Sequence, residues 1–334
     1  METVASRASQ HNSTVVYLIT SYGKTHQLER LVRTLRFLTD GPVWLRHDYS
    51  KASLHTERIA DMSAVILPPT TPVTWGDFSF VDVLLESLRA IEAREDYSWI
   101  VILSGQDYPI RPLADLERHL HELDADALLE QTADAHDPMR YSRRRYDRGT
   151  DLYRYRYYSI PTIRGRPLLS RRTIRRLERI GAAQPVVSFR FIGRQDRSMV
   201  GLRWPMGPFR RPKRPYQGSN WFVLSRHGVR TVLDFVASHP AYSRHYRRTF
   251  VPSESFFHSI LLNDSDLRIA PDNLHFEDWP LHSSGPRTLT VQDLPDLLKS
   301  GRYLARKFDA DVDSLILDHL DRHLGAPVGI DRSL

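Results

Sequence analysis

Apolar residues in the first 130 positions fall in short unbroken runs, separated by stretches where they recur every three or four residues. Residues 15–19 (VVYLI) form such a run, which suits a strand covered on both faces. In 25–39, Leu28, Leu31, Leu35 and Leu38 keep helical spacing. The pattern repeats with strands at 43–48 (ending in Asp48), 64–69, 100–103 and 127–131, and helices at 81–93 and 113–123. This alternation predicts a mostly parallel, doubly wound α/β sheet. Ligands of such sheets sit beyond the carboxyl ends of the strands, where SWIVILSGQDYPIRP (98–112) places Asp107. An Asp before Tyr-Pro also caps a turn, so this motif alone has two readings.

Periodicity fades from 140 to 217, apart from a helix at 170–182, and predicts an insertion with long loops. It returns as a strand at 218–225, a helix at 227–239 and a helix at 253–263 opened by Pro252 and Ser253. A helix at 289–301, a short edge strand or turn at 303–309 and a last helix over about 312–324 complete the pattern.

The 334 residues are 41% hydrophobic, an ordinary globular composition that can bury a large core. No run approaches the roughly 18 apolar residues that span a bilayer, and residues 1–14 lack the apolar centre of a signal peptide. A soluble, cytoplasmic protein is expected. The absence of cysteine excludes disulfides and thiolate metal sites. The net charge of +7 is unevenly spread: residues 140–214 hold 22 basic and 4 acidic residues, a balance of +18, against −11 for the rest. Arginine mixed with tyrosine in this segment could attract nucleic acid, sugar-phosphate polymers or anionic lipid head groups.

Four Asp-x-Asp pairs, Asp124/Asp126, Asp264/Asp266, Asp309/Asp311 and Asp311/Asp313, resemble a divalent-metal motif of nucleotide-sugar transferases. In a chain with 40 acids such pairs arise by chance, and Asp124/Asp126 precedes its strand rather than following it. No dinucleotide fingerprint, P-loop or paired-histidine helix is present, which argues against oxidoreductases, P-loop kinases and zinc hydrolases. Glu254 falls in the first turn of an apolar helix, where the helix dipole alone would account for a carboxylate. Lys307, between Arg306 and Phe308, reads equally as a surface charge.

Taken together, these segments resemble the core-2/I-branching glycosyltransferase family, which includes branching N-acetylglucosaminyltransferases and peptide O-xylosyltransferases. The matching stretches are VVYLITSYGKTHQLERLVRTL, VWLRHDYSK, VTWGDFSFVDVLLESLRAI, WIVILSGQDYPI, GSNWFVLSRHGVRTVL, FVPSESFFHSILLN and YLARKFDADVD, from about residue 14 to 322. The stretch 140–214 barely matches. The resemblance implies a nucleotide-sugar transferase A-type, Rossmann-like fold and inverting transfer from a UDP-sugar to a hydroxyl. It implies basic side chains in place of a metal at the diphosphate, so no cofactor is expected.

By position, Glu254 matches the general base and Lys307 a diphosphate-binding lysine, with Arg287 as its candidate basic partner. Asp48 and Lys51 would meet the nucleotide, Trp75 and Gly76 would shape the adjoining wall, and Asp107 would line the cleft between donor and acceptor. Trp279 would stack an acceptor sugar, with Glu130, Arg144 and Arg145 as further acceptor candidates. This divides the chain into a flexible N-terminus (1–13), one transferase domain (14–325) and a tail (326–334). Within the domain lie a nucleotide-binding half (about 14–135), the basic insertion (about 136–217) and an acceptor and catalytic half (about 218–325).

The expected partners are a UDP-sugar carrying GlcNAc or xylose and a carbohydrate, glycolipid or other hydroxyl acceptor, which the basic insertion suggests is anionic. The insertion could also rest peripherally on an anionic membrane; nucleic acid is the less favoured partner. Two alternatives remain at this level. One is a non-catalytic module on the same fold that binds a polyanion or nucleic acid; the other is a metal-dependent transferase using one of the Asp-x-Asp pairs.

Overall fold

In β1 (Val15–Ser21) every residue is buried, and alternate side chains enter two different cores. Val15, Tyr17 and Ile19 face one layer, and Val16 and Leu18 the other, as the two-residue period of a strand requires. A central strand covered on both faces therefore reads as an unbroken apolar run. The computed structural model describes residues 14–68, 72–130, 149–160, 162–163, 166–167, 169–182, 184–192, 197–205, 207–280 and 285–329.

After β1 come α1 (Thr25–Leu38), β2 (Val43–His47), α2 (Thr56–Asp61), β3 (Val65–Ile66), α3 (Ser79–Arg94), β4 (Trp99–Ser104), β5 (Asp107–Pro109), α4 (Leu113–Glu122) and β6 (Ala127–Leu128). The insertion carries β7 (Tyr155–Ser159), β8 (Thr162–Ile163), β9 (Arg166–Pro167), α5 (Arg171–Ala182), β10 (Val187–Ile192) and β11 (Arg197–Arg203). The remainder comprises β12 (Val223–Ser225), α6 (Arg226–Ser238), α7 (Pro240–Tyr246), α8 (Phe256–Leu261), β13 (Ile269–Ala270), β14 (His275–Glu277), α9 (Leu294–Lys299), β15 (Leu304–Arg306) and α10 (Leu315–Leu324).

The main sheet has the order β13-β6-β12-β4-β1-β2-β3. β3, β2, β1 and β4 run parallel, and β12 is antiparallel to both β4 and β6. Leu28, Leu31, Val32 and Leu35 of α1 join the core on one face with side chains of α4 and α10. The opposite core takes Leu84, Leu88 and Ile91 of α3, Val229 and Val232 of α6, and Phe256 and Phe257 of α8. The expected mixed α/β architecture, a mostly parallel sheet flanked by helices, is therefore observed. Among the described residues no helix is long and apolar enough to cross a membrane.

Several boundaries differ from the sequence reading. The insertion is more ordered than long loops: β10, β11 and β7 form an antiparallel sheet, against which α5 packs. Its period of two was present in YRYRYY, where Tyr155 and Tyr157 are buried between the less buried Arg156 and Tyr158. The strand expected at 218–225 shrinks to β12, and 253–263 divides into a 3-10 turn, Pro252–Glu254, followed by α8. The 303–309 segment is no edge: β15 is the centre of a second sheet, β14-β15-β5.

Candidate functional site

The parallel strands β1, β2 and β4 end side by side at one rim of the sheet. Asp48 follows β2, and its backbone N–H donates to Ser21 O at 2.8 Å. Its carboxylate accepts from Ser50 N (3.0 Å), Ser50 Oγ (2.6 Å) and Val73 N (2.9 Å). Burial alone would raise its pKa, but these hydrogen bonds outweigh it and hold the carboxyl below its ordinary value. Asp48 thus ties the turn bearing exposed Lys51 to the loop that leads into Trp75 and Gly76. Gly76 has φ +75°, and a Cβ there would lie 3.8 Å from Val251 Cγ2, so this wall adjoins the segment entering Glu254.

Asp107, beyond the end of β4, is fully buried. It accepts from Ser104 N and Ser104 Oγ, both at 2.6 Å, and from Arg306 Nε at 3.0 Å, with His275 Nε2 3.6 Å away. Burial opposes its charge, yet Arg306 first, then His275 and Ser104, hold its pKa below the usual carboxylate range. The expected cleft-lining contact is therefore corrected: Asp107 has no exposed surface and is paired with Arg306 instead. Tyr108 beside it turns inward and donates to buried Asp321 at 2.7 Å, as Arg30 also does.

The Arg306 guanidinium lies 4.5 Å from the ring centroid of Trp221, a position where cation and indole attract. Trp221 belongs to the GSNW loop, which also positions Glu254. Gln217 Nε2 donates to Glu254 Oε2 at 3.0 Å, and Gly218 N donates to the Glu254 carbonyl at 2.8 Å. A Cβ at Gly218 would meet Glu130 O at 2.2 Å and His258 Nε2 at 2.3 Å, so only glycine lets these backbones approach. Val251, just before the Pro252–Glu254 turn, has φ 45°, a left-handed conformation that costs a β-branched residue about 1–3 kcal/mol. Glu254 ends the 3-10 turn just before Ser255, the N-cap of α8, rather than occupying the first turn of a longer helix.

Lys307 follows Arg306. Its carbonyl accepts from Leu289 N at 2.9 Å, and Phe308 N donates to Gln106 O at 2.9 Å, joining ARKFD to SGQDYP. Arg287 is engaged elsewhere: Nε donates to Asp278 at 2.5 Å, and NH1 and NH2 fork onto Asp293 at 2.8 and 2.5 Å. The Asp293 bonds, then those to Asp278, push its pKa further up. Asp293 in turn closes a capping box with Thr290. Arg287 therefore stabilises the turn before α9, and its fork is already filled by carboxylates.

Trp279 Nε1 donates to Glu277 Oε2 at 2.6 Å, and Glu277 Oε1 lies 3.6 Å from Arg306 NH1. Glu130 accepts from Asn273 Nδ2 at 2.8 Å. Arg144 and Arg145 lie outside the described residues. The Asp-x-Asp pairs serve as ion pairs and caps: Asp124 and Asp126 hold Arg268, Asp309 and Asp311 hold Lys24, Asp264 accepts from Asp266 N, and Asp313 accepts from Leu315 N.

Contacts thus link the Glu254, GSNW, SGQDYP and ARKFD segments, with the Trp75–Gly76 wall against Val251. Sequence reasoning missed Gln217, Trp221, Glu277 and Arg306. Two of them stand in motifs already singled out, but only strand pairing shows Arg306 opposite Asp107.

Residues 15–162 match the family model described as Core-2/I-Branching enzyme. Xylosyltransferase 1 of Homo sapiens is 24% identical over 347 residues, covering 93% of this chain and 30% of that protein. Xylosyltransferase 1 of Rattus norvegicus is 26% identical over 282 residues, covering 75% and 27%. The chain therefore spans less than a third of the length of these curated relatives. Among solved structures, apo mouse xyloside xylosyltransferase 1 aligns with a TM-score of 0.38 at 9% identity, covering 87% of this chain and 97% of that one. A nucleoside-diphosphate-sugar pyrophosphorylase from Vibrio cholerae RC9 aligns at 0.34 and 12% identity, covering 77% and 90%.

Proposed function

We propose that the protein is an inverting glycosyltransferase, a reading supported by the match of residues 15–162 to the Core-2/I-Branching enzyme family model. In this reading it moves a sugar from a UDP-sugar to an acceptor hydroxyl without a metal ion at the diphosphate. Glu254 takes the acceptor proton as the hydroxyl oxygen attacks the anomeric carbon. The bond to the β-phosphate oxygen breaks, UDP leaves with the electron pair, and the configuration inverts. Lys307 supplies a cation to the departing diphosphate. Arg287 is not given that role, because Asp278 and Asp293 already occupy its donors.

The reading is carried by one relationship. Gln217 and Gly218 hold Glu254, and Trp221 of the same loop lies under Arg306, the residue before Lys307. Glu254 and Arg306, the neighbour of the matched cation, thus flank one short loop. Asp48, Lys51, Trp75 and Gly76 form the proposed nucleotide side, and Glu130 and Trp279 the proposed acceptor side. Both relatives described above are xylosyltransferases, which favours xylose over GlcNAc as the donated sugar.

A screen that follows UDP release from several UDP-sugars in the presence of EDTA tests the proposal. Release with at least one donor is expected, reduced about 10²–10⁴-fold in Glu254→Gln. Loss of turnover in EDTA would overturn metal independence. Absence of UDP binding at millimolar concentration would favour the non-catalytic polyanion-binding module, for which the charge of the insertion speaks.

A further inference from the structure

A cleft of about 1480 Å³ opens between the insertion and the helices α6, α7 and α8. It exceeds the roughly 300–1,000 Å³ of a small-molecule pocket, which favours a ligand of more than one sugar unit. Five basic side chains line it, Arg156, Lys213, Arg244, Arg247 and Arg248, against the acids Asp77 and Asp264. Asp82 neutralises Arg247 through two 2.8 Å bonds. The other four have no carboxylate partner among the described residues.

Three of these cations lie over aromatic rings: Arg156 at 3.9 Å from the Trp204 centroid, Arg248 at 5.3 Å from Tyr158 and Lys213 at 5.6 Å from Phe235. Each of these cations is held against a ring face, which fixes its charge in the wall of the cleft. Two buried polar atoms of the lining side chains are also unpaired among the described residues. Arg156 Nε has no hydrogen-bond partner among the described residues. His245, 1% exposed, uses Nε2 against Tyr153 O at 2.7 Å, and its Nδ1 has no partner among the described residues.

We propose that this cleft binds an anionic oligosaccharide, with carboxylate or phosphate groups held by Lys213, Arg244 and Arg248. The inference does not depend on the transferase reading, because none of these residues belongs to the Glu254 site.

The test is calorimetric titration of the full chain with tetragalacturonate and, for comparison, maltotetraose. The polyuronate is expected to bind with an affinity that falls as salt rises, and the neutral sugar is not. Lys213→Ala/Arg244→Ala/Arg248→Ala should weaken binding at least tenfold, and Arg244→Glu, at an exposed position, should do so with its melting temperature unchanged. Glu254→Gln should bind as the wild type does, which separates this result from any failure of the transferase. Equal binding of the two sugars, or full affinity in both cleft variants, would overturn the proposal. Tighter binding of a single-stranded RNA of equal charge would reassign the cleft to nucleic acid and overturn it as well.

Discussion

Arg306 Nε donates to Asp107 Oδ1 at 3.0 Å where β15 and β5 bring the two residues into register. The Asp107 carboxylate is fully enclosed, and the Arg306 side chain is 13% exposed. Removing one partner leaves the other charge buried and uncompensated, which typically costs about 3–5 kcal/mol.

Asp107→Asn is therefore expected to destabilise the protein by roughly that amount at neutral pH. Arg306, His275 and Ser104 depress the Asp107 pKa, so its contribution is complete above the unfolded-state value near 4 and is lost as pH falls through the lower folded value. Urea unfolding of wild type and variant at pH 7 and pH 3 should show a gap that narrows in acid. A gap of constant size would count against the pair.

The Gln217 bond to Glu254 Oε2 predicts a positioning role. Gln217→Ala should lower kcat about tenfold or more, as loss of orientation does, with little change in the donor KM. Gln217→Glu should not restore it, because a carboxylate cannot donate that hydrogen bond. Steady-state kinetics with the donor identified by the screen would read the split. A rise in KM with unchanged kcat would mean that Gln217 serves donor binding instead.

The two cations matched by resemblance should behave differently. Lys307→Ala is expected to weaken UDP binding and to reduce turnover about 10²–10³-fold, by analogy with losing one donor to a developing charge. Arg287→Ala should instead lower the melting temperature, because it frees Asp278 and Asp293 and loosens the turn before α9. Calorimetry with UDP and thermal unfolding of both variants separate the roles. A large loss of UDP affinity in Arg287→Ala with unchanged stability would return Arg287 to the diphosphate.

The main sheet was legible because β1 and β4 are buried on both faces, so their apolar runs survive without knowledge of the fold. The β7 strand was not, because its buried face is built from Tyr155 and Tyr157 and its other face includes Arg156, which hides the alternation. At the site, motif position identified Glu254 and Lys307 as candidates. It could not show that Asp107 is enclosed, since burial depends on β15 bringing Arg306, 199 residues further along the chain, opposite it. Nor could it show that Asp278 and Asp293 fill the Arg287 fork, which depends on how the loop before α9 closes.

Two buried histidines give the fold a sensitivity to mild acid. His258 is fully enclosed with both ring nitrogens unpaired among the described residues, and burial pushes its pKa down to about 4. Burial, aided by Arg156 and opposed by the Tyr153 carbonyl, pushes His245 down to about 4 as well. In the unfolded chain both titrate near 6.5, so between about 6.5 and 4 the unfolded state binds more protons and stability falls as pH falls. Each contributes up to about 1.4 kcal/mol per pH unit across that window. Urea unfolding at pH 7 and pH 5 should show a loss for the wild type that is smaller in His258→Gln, which carries no titrating ring. If both proteins lose the same stability over that step, the buried imidazole of His258 is not the group that responds.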